Sequence, residues 1–174
     1  MHSKFPDNEE DAFVGNYDIN EDDVKSTRMF LTTKRLIQSC ERLTENLYVD
    51  SESIILCKGS FFFSSFYFNQ HFTKFFSVYK DYAVSKIGSF DRNGEFNLFG
   101  LGIFKGDESK SIEFMFESLK NSAKAASKID YQPTTIISNG DDRICVASNT
   151  TFGSIDKSIV LFSEMIKKVD EKLM

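Results

Sequence analysis

The chain has 174 residues, of which 41% are hydrophobic and 14% aromatic, enough to bury one sizeable core in a single domain. Its formal net charge of -5 gives no global electrostatic case for binding DNA, because non-specific binding depends on many contacts between Lys or Arg and phosphate. A local basic patch remains compatible with this balance.

The cysteines and the amino terminus indicate the compartment. Cys40, Cys57 and Cys145 are widely spaced and have no accompanying histidines, so neither a disulfide framework nor a zinc site is predicted. The amino terminus is acidic where a signal peptide would be basic, and no apolar run approaches the roughly 20 residues that cross a bilayer. We therefore expect a soluble intracellular protein, nuclear or cytoplasmic, without a membrane partner.

The charge is concentrated at the amino terminus. Residues 1–23 hold eight acidic side chains against Lys4 alone: Asp7, Glu9, Glu10, Asp11, Asp18, Glu21, Asp22 and Asp23. Low apolar content and clustered acids predict a disordered arm over residues 1–22. Residues 23–174 are then expected to form one domain.

Residues 23–68 are predicted to form a helix followed by strands. Apolar residues recur at three- and four-residue steps from 23 to 45, as in an amphipathic helix. Residues 47–49 and 53–57 are short strand candidates. Six aromatics in the eight residues 61–68 lack alternation, which favours a central strand covered on both faces over an exposed stacking surface for nucleic acid.

A hairpin follows, in which Asn93-Gly94 supplies the tight reversal between strands at 82–90 and 96–104. A helix is predicted from a cap at Asp107 or Ser109 to about Ser127, then a strand over 134–138. A final amphipathic helix is predicted from about Ser154. This order predicts an α/β fold with a mixed sheet, antiparallel hairpin strands, and helices packed on its faces.

Four short motifs lie within about residues 60–153: Ile87-Gly88-Ser89-Phe90-Asp91-Arg92-Asn93-Gly94, Phe99-Gly100-Leu101-Gly102-Ile103-Phe104, Asp107-Glu108-Ser109, and Ile136-Ile137-Ser138-Asn139-Gly140-Asp141. Together they resemble the transposases of Mutator-like elements, which have an RNase H-like fold. The resemblance implies DNA strand transfer by two metal ions, held by carboxylates from the first strand, a later strand and a further helix.

At the positions implied by the resemblance, this chain carries amides. Asn139 stands where the family has the first aspartate of Asp-Gly-Asp, and Asn69 best matches the first-strand aspartate, with His71 there if the register shifts by two. An amide carries no charge and binds a divalent metal weakly beside a carboxylate. Residual acids at matching positions are Glu108 and Asp141.

These residues give three functional hypotheses. The first is a transposase-derived domain with no intact catalytic set, no cofactor and a binding or scaffold role, with DNA or a protein as partner. The second is an active nuclease or transposase that uses Mg²⁺ or Mn²⁺ through relocated carboxylates. The third is a protein-interaction domain that uses the acidic arm and the final amphipathic helix.

Overall fold

The structure is a computed structural model that describes residues 5–19, 26–50, 82–105, 108–138, 141–153 and 160–161. Its fold is mixed α/β, with one sheet and three helices in these residues. The seven strands are β1 (Ala12–Ile19), β2 (Thr27–Thr33), β3 (Asn46–Asp50), β4 (Ala83–Phe90), β5 (Phe96–Lys105), β6 (Thr135–Ser138) and β7 (Val160–Leu161). The helices are α1 (Lys34–Ser39), α2 (Glu108–Ser127) and α3 (Asp142–Phe152).

The sheet has mixed direction, as predicted. Its strand order is β1-β2-β5-β4-β3-β6-β7. Every neighbouring pair from β1 to β3 in this order is antiparallel, whereas β6 is parallel to both β3 and β7. The change from antiparallel to parallel pairing therefore occurs at β3.

All three described helices contribute to one core cluster on a single face of the sheet. Ile37 of α1, Phe116 of α2 and Ile144 of α3 join it, together with Phe30 of β2 and Leu47 of β3. A smaller cluster contains the buried residues Val84, Leu101 and Ile103. Because neighbouring residues of a strand point to opposite faces, Phe30 in the first cluster and Leu31 beside the second place the two clusters on opposite sides of the sheet.

The expected disordered arm is wrong for residues 12–19, which form β1. This strand pairs with β2 from Ala12 opposite Thr33 to Ile19 opposite Thr27, with a bulge at Gly15. The sequence prediction rests on the acidic charge around this segment, although the strand begins with the apolar residues Ala12, Phe13 and Val14. Pairing with β2 provides hydrogen-bond partners for the backbone amides and carbonyls of β1, whatever the charge of the side chains nearby.

The predicted helix over 23–45 is also wrong in its first half. Thr27–Thr33 is a strand between β1 and β5, and only Lys34–Ser39 is helical. Thr33 ends the strand and caps the helix, because its side chain accepts a hydrogen bond from the Leu36 amide at 3.2 Å. The β-branched threonines of this segment favour a strand, and pairing with a neighbouring strand on each side stabilises that conformation.

The central predictions are confirmed. The hairpin of β4 and β5 turns at Gly94, which has φ of +80°, and the Asp91 carboxylate accepts hydrogen bonds from the backbone amides of Asn93 and Glu95. Helix α2 ends at Ser127, as predicted, and β6 lies within 134–138. The strand predicted at 53–57 and the aromatic run at 61–68 lie outside the described residues.

The carboxy-terminal prediction differs from the structure. Helix α3 was not predicted, and Val160–Leu161, expected to be helical, pairs with β6 as a parallel strand. Parallel pairing of 160–161 requires a crossover from β6, and α3 provides it. The remainder of the expected final helix lies outside the described residues.

Candidate functional site

The edge of the sheet where β3 and β6 end is the candidate site. The strands are parallel neighbours, and Val49 is the register partner of Ser138. Asp50, the last residue of β3, directly follows Val49, and Asn139 directly follows Ser138 in the sequence. Parallel strands that end together bring their following residues to one edge of a sheet, where ligand sites of α/β proteins usually form.

Asp50 is a candidate that the sequence analysis did not consider. The signal was present, because the apolar segment Leu47-Tyr48-Val49 runs directly into this aspartate. The sequence prediction places the first-strand position at Asn69 instead, because the aromatic run at 61–68 is the more conspicuous strand candidate. Only the pairing of β3 with both β4 and β6 shows that this short strand lies inside the sheet.

The predicted site residues have different outcomes. Asn69, His71 and Asn139 lie outside the described residues. Glu108 is the first residue of α2. Asp141 lies immediately before α3 and is its N-cap residue.

The Asp141 carboxylate has two local partners. It caps α3 by accepting a hydrogen bond from the Arg143 backbone amide at 2.9 Å. It also accepts hydrogen bonds from Nε of Arg143 at 2.8 Å and from Nη2 at 2.6 Å. This bidentate pairing is a strong form of the ion pair between an arginine and a carboxylate.

These residues do not fit a divalent metal. A metal at Asp141 would have to displace or face the Arg143 guanidinium, a positive charge 2.6 Å from the carboxylate oxygen. Within the described residues, no three His, Cys, Asp or Glu side chains form a group suited to a metal ion.

Three acidic residues before β2 are paired with basic residues of this chain. Glu9 lies 2.9 Å from Lys34, Glu10 lies 3.0 Å from Arg35, and Asp18 lies 2.6 Å from Arg28. The hydrogen bond and charge of Lys34 lower the pKa of Glu9. These three acids belong to the proposed interaction arm, and they already form ion pairs within the domain.

Two ionisable groups lie deep in the core beneath the helices. Burial raises the pKa of the Cys40 thiol, and burial together with the neighbouring Cys40 raises the pKa of the Tyr131 hydroxyl. Both groups therefore stay protonated at neutral pH. A buried neutral thiol is a poor nucleophile, which argues against a catalytic role for Cys40.

The comparisons with known proteins identify no family. No protein-family model matches the chain. No curated protein and no solved structure matches it either. In the described part of the chain, none of the helices has the length and apolar character needed to cross a membrane.

Proposed function

We propose that this chain is a transposase-derived RNase H-like domain that has lost metal-dependent strand transfer and acts as a binding or scaffold module. The observation that carries the proposal is the ion pair between Asp141 and Arg143. Asn139 supplies no charge after β6, and the nearest described carboxylate along the chain is held by Arg143.

The strand order supports the RNase H-like assignment. In that fold a central strand has an antiparallel hairpin on one side and parallel strands, connected through helices, on the other. The order β5-β4-β3-β6-β7 has this pattern, with α2 between β5 and β6 and α3 between β6 and β7. Strands β1 and β2 extend the sheet beyond the hairpin.

In this assignment Asp50, and not Asn69, occupies the first-strand metal position. It ends the strand that precedes the hairpin and is parallel to β6. The site then retains its first carboxylate and has an amide at its second. One carboxylate charge instead of two would bind only weakly a pair of divalent metals about 3.5–4 Å apart.

The proposal is tested by metal binding and DNA nicking in parallel. The wild-type protein should leave supercoiled plasmid intact with Mg²⁺ or Mn²⁺. Asn139→Asp should tighten Mn²⁺ binding, measured by electron paramagnetic resonance, because it restores the second charge. Asn139→Gln is the matched control and should not. Wild-type nicking that disappears in Asp50→Asn would overturn the proposal.

The retained Asp50 also favours a second candidate, an active nuclease with a relocated carboxylate. In that case a second acid, such as Asp141 or Asp142, must replace the missing charge. Asp141→Asn and Asp142→Asn distinguish the two candidates, since only the active enzyme would nick DNA as wild type and lose nicking in one variant.

A further inference from the structure

A small cavity opens at the end of the sheet where β3 begins and β4 ends. Its volume is about 110 Å³. Arg42, from the turn after α1, and Arg92, from the hairpin turn, line it together with Asn46, Ser89 and Phe90. Glu45 also lines it. Two arginines that are distant in sequence thus meet at one opening.

The two arginines are available for a ligand. Both are exposed, and within the described part of the chain neither side chain has an ion-pair or hydrogen-bond partner. The guanidinium group presents several donors in a planar fork that matches the oxygens of phosphate. By contrast, the Arg28 and Arg143 side chains are each held by an aspartate.

The size and charge of the cavity select the ligand group. A cavity needs about 10–15 Å³ of this kind of volume to hold one water, so about 110 Å³ is ample for an oxyanion. Two arginines and Glu45 leave one net positive charge at the opening. That positive charge attracts the negative charge of a phosphodiester.

Phe90 provides an apolar surface at the same opening. The residue is 38% exposed, although its ring is packed against Phe96, at a centroid distance of 5.2 Å, and against Tyr48, at 5.5 Å. The Phe96 ring lies over Gly88, where an added Cβ would be 2.6 Å from its Cζ. Phe90 is therefore supported from the protein side and still accessible to solvent.

We propose that Arg42, Arg92 and Phe90 form a binding site for single-stranded nucleic acid. A backbone phosphodiester enters the cavity between the arginines, and an adjacent base stacks on Phe90. Basic side chains beside an accessible aromatic ring are the combination that recognises single strands, whose bases are free to stack. A duplex keeps its bases stacked on each other and cannot use Phe90 in this way.

This site goes beyond the proposed function. It lies at the start of β3, whereas Asp50 ends the same strand, and four residue steps of roughly 3.3 Å separate the two by about 13 Å. The site does not require transposase ancestry or a particular state of the metal edge. Its failure and the failure of the proposed function can thus be observed separately.

The test is fluorescence anisotropy of fluorescein-labelled single-stranded oligothymidine at low salt. Arg42→Ala, Arg92→Ala and Phe90→Ser should each weaken binding by roughly tenfold. Lys124→Ala is the matched control, because it removes the same charge from an exposed position on α2 and should leave affinity within about twofold. The logarithm of affinity should fall with that of salt at a slope near -1, as expected for one or two phosphates.

Competition separates the sources of the anion. Unlabelled oligothymidine should displace the probe, whereas equal phosphate concentrations of inorganic phosphate, and a polyglutamate peptide, should not. Retained thermal melting points of the variants show that they are folded. Absence of probe binding, equal weakening by Lys124→Ala, or equal competition by inorganic phosphate or polyglutamate would each overturn the proposal.

Discussion

The Asp141 carboxylate and the Arg143 guanidinium form a two-pronged ion pair across only two residues of the chain. The same carboxylate caps α3, the helix that connects the parallel strands β6 and β7. An acid that the resemblance places beside a metal site thus has a local structural role. This role of Asp141 requires no metal ion.

Asp141→Ala should destabilise the domain by about 1 kcal/mol, because α3 loses its amino-terminal cap. The measurement is the free energy of unfolding in urea. Asp142→Ala is the control, since Asp142 is exposed in the first turn and contributes through the helix dipole alone. Equal losses in the two variants would contradict a specific capping role for Asp141.

The contact between β1 and β2 leads to a second prediction. Asp18 lies directly opposite Arg28, whose side chain is only 9% exposed and whose Nε has no hydrogen-bond partner in the described structure. Asp18→Asn removes the charge that balances this buried guanidinium. We expect a loss of roughly 1–3 kcal/mol in the free energy of unfolding.

Glu10→Gln serves as the control for Asp18→Asn. Glu10 and Arg35 are both more than half exposed, at 57% and 63% for their side chains, so solvent and salt screen their interaction. Such a pair contributes about 0–1 kcal/mol. A smaller loss for Asp18→Asn than for Glu10→Gln would show that the burial of Arg28 does not determine the strength of its pairing.

Local patterns predicted the centre of the fold and failed at its margins. The hairpin was predictable because Gly94 supplies the positive φ within the turn itself, and α2 because its apolar stripe is long. By contrast, β1 and β2 exist through pairing between segments. Helix α3 has few large apolar residues, so its periodicity is weak even though Asp141 and Gly153 mark its ends.

The candidate site was less predictable than the fold. Nothing within Leu47-Tyr48-Val49-Asp50 distinguishes an interior strand from an edge strand, since its position depends on its partners Gly88 and Ile137. The cavity between Arg42 and Arg92 has the same origin, because residues fifty positions apart meet only after β3 and β4 pair. Motif spacing contains no information about such contacts.

Close packing of Phe30 on Gly100 gives a third prediction. The ring of Phe30 covers this glycine of β5, and an added Cβ would lie 2.6 Å from Cε2 and 3.0 Å from the Leu31 carbonyl oxygen. Gly100→Ala should therefore cost about 1–3 kcal/mol of stability through overpacking. Differential scanning calorimetry would detect it as a lower melting temperature.

A double-mutant cycle separates this contact from a general loss of strand structure. Phe30→Leu removes the ring and leaves a cavity of its own, but the space over residue 100 increases. The double variant Phe30→Leu with Gly100→Ala should then lose less stability than the sum of the single losses. Additive losses would show that the methyl group does not meet the ring.

The Tyr131 hydroxyl supplies the last prediction. The residue is fully buried between Phe99 and Phe152, and no hydrogen-bond partner for its oxygen exists in the described part of the chain. Tyr131→Phe removes a polar group that has lost its water without gaining a partner, so we expect a gain of about 1 kcal/mol at neutral pH. Tyr17→Phe is the control, since Tyr17 is exposed and its hydroxyl remains hydrated.

The same substitution should alter the response to alkali. Burial raises the pKa of Tyr131, so the folded state keeps a proton that the unfolded chain releases above its ordinary pKa of about 10. The stability of the wild type is therefore unaffected by ionisation of Tyr131 below that pH and falls as the pH rises further. Tyr131→Phe removes this dependence, and its advantage over wild type should grow with pH. A constant difference across that range, measured by urea unfolding, would mean that Tyr131 ionises as readily in the folded protein as in the unfolded chain.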